Sequence, residues 1–224
     1  MNDSTLQLLE KLNLGDCPER KEDFTAYFED IAELLMKNFV IEKGSERYEI
    51  VETEFYLYTA EHPDVITYPR AIGAGRWYFH QSGVDLTFES TAERFGGILI
   101  RGLRDINDPG NQIFGPMKCM ETLWNHFDAV LIAQAEYPLL VPYTFCPCAQ
   151  IDHHTRWINV SSDRITRRIA EWKRRTTKST PLPPVADQDL EHLIFLSPYR
   201  FIKPKSINLT HKSWTKYPAK PKMP

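Results

Sequence analysis

The spacing of apolar residues changes along the chain, and each change marks a different kind of element. Leu6 to Leu14 forms a short amphipathic segment. Phe24, Phe28, Ile31 and Leu35 then fall at the spacing that lines one face of a longer helix beginning near Glu22, so the N-terminal part, about 1–38, reads as helical. From Arg47 the period drops to two: Val51, Thr53, Phe55 and Leu57 alternate with Glu52, Glu54, Tyr56 and Tyr58, which predicts a half-buried strand. Arg76 to His80 and Val84 to Phe88 read as strands joined by the turn Gln81-Ser82-Gly83, a hairpin. Gly96 to Leu103 is apolar until Arg101, as expected of an interior strand. After the turn cluster Asn107 to Asn111, Gly115-Pro116 introduces a helix over Met117 to Phe127. Ser161 or Ser162 caps a basic helix running to about Arg175, and proline-rich Ser179 to Pro184 reads as a loop. The pattern predicts an α+β fold: a single domain over 1–202, built around a curved antiparallel sheet with flanking helices, followed by a basic tail over 203–224 with too few periodic apolar residues to form an element.

Composition narrows the class without selecting a function. A chain of 224 residues, 42% hydrophobic and 25% charged, is long enough to bury one sizeable core. No apolar run is long enough to span a bilayer, and the start lacks the basic and apolar pattern of a secretory signal, so no membrane partner and an intracellular location are expected. Cys17, Cys119, Cys146 and Cys148 are then expected to be reduced thiols. Cys146-Pro147-Cys148 with His153-His154 departs from the usual zinc spacing, so no metal and no cofactor are expected. A net charge of −3 gives no global attraction to nucleic acid, although Arg164, Arg167, Arg168, Lys173, Arg174 and Arg175 concentrate positive charge locally.

On a strand, residues two apart share a face, so Glu52, Glu54, Tyr56 and Tyr58 project together. Two readings of this surface stand: a solvated sheet face, or the polar floor of a cleft in which a carboxylate beside aromatic walls accepts a proton from water. Arg76, Tyr78 and His80 line one face of the hairpin in the same way. Arg101, a charge ending an apolar strand, is either paired internally, with Glu52 as the obvious partner, or aimed at an anion.

The order EIVETEFYLY (Glu49 to Tyr58), His62 in the following loop, GRWYFHQSG (Gly75 to Gly83), GGILIRGL (Gly96 to Leu103) and IFGPMKCMETL (Ile113 to Leu123) resembles the 3-methyladenine DNA glycosylases of the alkyladenine type. SPYRFIKP (Ser197 to Pro204) is similar to that family's closing strand. The resemblance implies a monofunctional hydrolase of DNA repair that excises a damaged purine by cutting its N-glycosidic bond. It places water activation on Glu54, with Arg101 near the catalytic water. It places base contacts on Tyr56, His62 and His80. Tyr78, on the same hairpin face as His80, is expected to join them, and nucleic-acid contacts are expected of Arg76 beside it and, from the concentration of positive charge, of Arg164, Arg167 and Arg168. The implied partner is damaged DNA, with single-stranded DNA included, bound by a monomer. With no lysine in the strand constellation, no Schiff-base lyase step is expected.

The sequence departs from the family at identifiable places. The hairpin residue that wedges into DNA in the family falls on Ser82, and the pocket asparagine has no counterpart among Thr87, Phe88 and Glu89. A second reading is therefore carried beside the enzyme: a catalytically divergent member of the fold that binds a nucleotide, nucleic acid or partner.

Overall fold

The computed structural model describes residues 3–125, 137–144, 150–156 and 197–203, with isolated helical residues at 166, 167, 170 and 174. Helix α1 (Asp3–Leu12) is followed by a turn of 3-10 helix (Lys21–Asp23), helix α2 (Phe24–Asn38) and strands β1 (Phe39–Lys43), β2 (Glu46–Tyr58), β3 (Trp77–His80), β4 (Gly83–Thr87), β5 (Phe95–Asp105) and β6 (Gln112–Phe114). Helix α3 (Pro116–Leu123) and the short strands β7 (Leu139–Pro142), β8 (Asp152–His154) and β9 (Arg200–Ile202) complete the described elements.

The described strands form one antiparallel sheet, curled into a half-barrel, with the order β3-β4-β5-β2-β1-β7; β6 pairs with β5, and β9 pairs with β2 and β8. The expected mixed α and β architecture around a curved antiparallel sheet is present. Strand β2 organises it. Along one edge it pairs throughout with β5. Along the other it pairs first with β1, from Lys43↔Glu46 to Val40↔Glu49, and then with β9, from Glu52↔Ile202 to Glu54↔Arg200. The handover coincides with a register irregularity against β5 between Ile50 and Thr53. An extra residue there bends the strand and increases its twist, which lets one long strand serve two partners.

The predicted apolar stripe of α2 is the centre of the core: Phe24, Phe28, Ile31 and Leu35 are all fully buried. Phe28 lies 5.1 Å from Phe55 between ring centroids, and Phe55 lies 5.1 Å from Phe201. The apolar side of β2 thus faces α2, and truncating such a ring to alanine costs about 3–5 kcal/mol.

Several expectations need correction. Strand β2 is buried on both faces from Tyr48 to Phe55 rather than half wet, because the polar side chains on its second face are neutralised by arginines. The chain does not leave the body at residue 203: Lys203 is buried, donates to Met36 O and binds Glu49 Oε1 at 2.8 Å. Strand β3 begins at Trp77, leaving Arg76 exposed just outside it. Of the basic helix, Arg167 and Arg174 are helical and exposed; Arg164 and Arg168, the loop Ser179 to Pro184 and most of the tail lie outside the described residues. The helix after Gly115-Pro116 ends at Leu123, four residues short of the expected Phe127, because Trp124 leaves helical geometry at φ −124° and ψ 39°. No described helix is long and apolar enough to cross a membrane.

Candidate functional site

Register places one row of side chains across the polar face of the sheet. Tyr78 pairs with Asp85, Asp85 with Leu99, Leu99 with Glu54, Glu54 with Arg200, and Arg200 with His154. Cross-strand partners in antiparallel register point to the same side, so residues far apart in sequence meet on one surface.

Glu54 lies at the middle of this row and is wholly buried. Its Oε2 accepts a hydrogen bond from the Tyr56 hydroxyl at 2.7 Å and another from Arg101 Nη1 at 3.2 Å. Arg200 Nε stands 3.9 Å from Oε1. Glu52, on the same face, holds both arginines: its Oε1 accepts from Arg101 Nε at 2.8 Å and from Arg200 Nε at 2.8 Å, with Arg200 Nη2 at 2.7 Å. Arg101 thus pairs with Glu52, as the structural reading of the sequence anticipated, and with Glu54 as well. Burial alone would lower its pKa, but the two carboxylates outweigh that and raise it, so it stays a cation. Burial, reinforced by the neighbouring Glu54 charge, pushes the Tyr56 phenol well above its ordinary value, so Tyr56 is a hydrogen-bond donor to the carboxylate and not a competing anion.

Arg156 braces this group from the end of the sheet. Its guanidinium binds both oxygens of Asp64, at 2.6 and 3.2 Å, donates to Phe55 O at 3.3 Å, and lies over the Tyr56 ring at 4.9 Å. A second charged cluster sits two strands away. Asp85 accepts from Arg70 Nη1 at 2.7 Å and from His80 Nε2 at 3.0 Å, while Arg70 stacks over Tyr78 at 4.1 Å. Gly97 makes room for it: a Cβ there would come within 2.8 Å of Asp85 Cβ and 3.0 Å of Arg70 Nη1. Since His80 Nε2 faces a carboxylate and Nδ1 accepts from Ser82 N at 3.2 Å, the ring carries its proton on Nε2.

The sequence-predicted residues separate into two groups. Glu54, Tyr56, Arg101, Tyr78 and His80 share the polar face. His62 does not join them, which corrects its expected place beside the base. It is fully buried on the α2 side, stacked on Phe24 at 4.3 Å and edge-on to Phe28. Nδ1–H donates to Leu57 O at 2.6 Å and Nε2 accepts from the Tyr199 hydroxyl at 2.9 Å. Burial lowers its pKa to about 4, so it is a neutral core residue that ties its loop to β2 and to the chain entering β9. The reason is geometric: the loop after β2 folds back under the sheet, with Thr59 N bonded to His62 O.

Sequence reading missed Arg200, Arg156, Asp64, Asp85 and Arg70. Arg200 meets Glu52 across 148 residues and Arg156 meets Asp64 across 92, separations at which spacing carries no signal. Asp85 could have been found, because it is a carboxylate between the apolar Val84 and Leu86 of a strand. Cys17 and Cys119 are free thiols, and Cys146 and Cys148 lie outside the described residues. His153 pairs with Glu29 at 2.9 Å, and among the described residues no group of three or more His, Cys, Asp or Glu side chains is placed to hold a metal.

No protein-family model matches the chain, and neither curated proteins nor solved structures supply a match.

Chemically, the arrangement offers a carboxyl group withdrawn from water and fixed by a phenol and an arginine. Such a group stabilises positive charge developing nearby and takes a proton from water held against it.

Proposed function

We propose that the chain is a base-excising hydrolase of the 3-methyladenine DNA glycosylase kind, acting on the N-glycosidic bond of an alkylated or deaminated purine, with Glu54 activating water. The observation that carries this reading is the burial of Glu54 in bonded contact with Tyr56 and Arg101, on the same face as Tyr78 and His80. Cleavage of an N-glycosidic bond builds oxocarbenium character on the sugar. A carboxylate held in place beforehand meets that charge without reorganising. Arg101 and Tyr56 orient the carboxylate, and Glu52 keeps Arg101 and Arg200 in register with it. Tyr78 and His80 supply ring faces for an extruded base, whose removal from a stack costs a few kcal/mol and is easiest for a damaged or unpaired base.

The decisive measurement is release of 3-methyladenine and hypoxanthine from modified single- and double-stranded oligonucleotides. Glu54→Gln is expected to lower the rate by about 10²–10⁴-fold, the usual range for losing a positioned proton acceptor. Unchanged release by Glu54→Gln removes the mechanism.

A second reading, a divergent member of the fold that binds nucleic acid or a nucleotide without cleaving it, is favoured by two observations. His62 is locked in the core, and Ser82 stands where the family places a wedge. Inactive wild-type protein that still binds oligonucleotides with salt-dependent affinity would select it.

A further inference from the structure

Apolar exposure is concentrated on the far side of the hairpin. Of the five large apolar side chains most exposed among the described residues, four are Phe79 (49%), Met117 (40%), Tyr137 (56%) and Leu139 (61%). Phe79, on β3, meets the ring of Trp124, the residue after α3, edge to face at 4.8 Å, and Met117 lies in the first turn of α3. Trp77 packs on Trp124 at 5.3 Å, and its Nε1 donates at 2.8 Å to the carbonyl of Pro138, which lies between Tyr137 and Leu139. Gly83, at φ +139°, brings the hairpin turn against Pro116 so closely that a Cβ would sit 2.8 Å from the proline Cβ. The turn is thereby fixed on the start of α3, and an ordered aromatic surface loses little entropy on binding.

Position and charge select the occupant. Strand β3 is an edge strand of the sheet. Its alternate side chains face opposite ways: Tyr78 and His80 lie on the Glu54 face, Trp77 and Phe79 on this one. Arg76, directly before β3 and by alternation on the side of Tyr78 and His80, and Lys118, directly after Met117 on α3, are exposed cations on the two sides of this edge, set against one exposed carboxylate, Glu121, on α3. The overall charge of the chain is −3, so this local excess is a departure from its background.

We infer that Phe79 and Trp124 form a stacking shelf for an unpaired base of single-stranded nucleic acid, beside the nucleotide that enters the Glu54 face. The inference rests on the proposed function and adds its partner: a strand crossing the edge of β3 lays neighbouring nucleotides on its two sides. Arg76 and Lys118 meet the phosphates. Stacking on rings is indifferent to base identity, so the shelf sets preference for unpaired strands rather than for sequence.

Fluorescence anisotropy with a dye-labelled mixed-sequence oligonucleotide tests it in the Glu54→Gln protein, which leaves the ligand uncut. Phe79→Ala and Phe79→Leu are both expected to weaken single-strand affinity by about 5- to 100-fold, the range for one base-stacking ring. Because Phe79 is half exposed, both variants are expected to melt like the parent. Arg76→Ala is expected to reduce the salt slope by about one. Oligonucleotide binding that Phe79→Ala leaves unchanged overturns the shelf. So does binding that Phe79→Leu fully restores, which marks plain apolar contact, or a change in self-association without a change in oligonucleotide affinity. Absence of base release by the wild type, with Phe79-dependent binding intact, removes the hydrolase and leaves the shelf standing.

Discussion

The buried pair Asp64–Arg156 gives the sharpest test of how the polar face is held together. Both side chains are fully enclosed, the pair is bidentate, and the arginine also touches Phe55 O and the Tyr56 ring. Asp64→Asn keeps the shape but removes the charge and turns one acceptor into an N–H donor facing the guanidinium. Breaking a buried pair from one side costs about 3–5 kcal/mol, because the remaining charge stays dehydrated. Against a total stability of about 5–15 kcal/mol, that is a large share. At a urea m value of about 2 kcal/mol/M, the unfolding midpoint should fall by roughly 1.5–2.5 M. Asp64→Leu combined with Arg156→Met should recover most of the loss, since an apolar replacement of both partners is often neutral or stabilising. Two results would refute the reasoning: Asp64→Asn unfolding within about 1 kcal/mol of the wild type, or a double variant whose loss equals the sum of the singles. Either would mean that the pair is hydrated or energetically idle. The double variant should nonetheless lose catalytic rate if the proposed function holds, because Tyr56 no longer rests under a cation that fixes its ring above Glu54.

Three further outcomes are expected. Gly97→Ala pushes a methyl against Asp85 and Arg70 and should cost about 1–3 kcal/mol, read as a melting temperature lowered by about 2–4 °C per kcal/mol; an unchanged melting temperature would show that the Asp85 cluster yields freely. His62 has a folded pKa lowered to about 4 from the ordinary 6.5, so the unfolded chain binds the proton more readily. Its contribution is therefore complete above pH 6.5 and is lost as pH falls from there towards 4, about 2 kcal/mol between pH 7 and 5; in urea unfolding at both pH values, His62→Gln should flatten that difference, and an equal pH dependence in the two proteins would sink the assignment. Cys17, pushed up to about 11 by burial, should alkylate at pH 8 roughly a hundredfold more slowly than the same thiol in urea, as followed by mass spectrometry.

The parts of the fold legible in the sequence are those whose signal is local. The α2 stripe, the alternation of β2, the hairpin and the apolar run of β5 each contain their own period, and all four are present. Alternation also put Glu52, Glu54 and Tyr56 on one face, and the charge ending β5 pointed to Arg101. The period could not reveal that this face is enclosed, because the groups enclosing it are Arg200 and Arg156, brought from the far end of the chain. Strand β1 was hidden for a different reason: it follows α2 without a glycine or proline, and the helix ends at Asn38 only because Phe39 turns extended into pairing with β2 and β7. Strands β6, β7, β8 and β9 are three or four residues long, too short for any period to show. His62 was misplaced because a loop position says nothing about which side of a sheet the loop folds under.

What the polar face costs bears on why it exists. Glu52, Glu54 and Asp64 are balanced by Arg101, Arg156 and Arg200, and apart from Arg101 each of these side chains is almost wholly withdrawn from water. Well-packed leucine or methionine in these places would hold the sheet as firmly or more so, since desolvating paired charges commonly offsets their attraction. The α2 side of the same strand shows the chain building such a core from Phe28, Phe55 and Phe201. Two faces of one strand thus follow opposite rules, and local rules are broken where a site demands it. A fixed lattice of opposite charges has little net field at a distance but a strong one at its centre, beside Glu54. If the proposed function holds, that field favours the oxocarbenium charge that builds on the sugar as the N-glycosidic bond breaks over the substrate in which it has not yet formed.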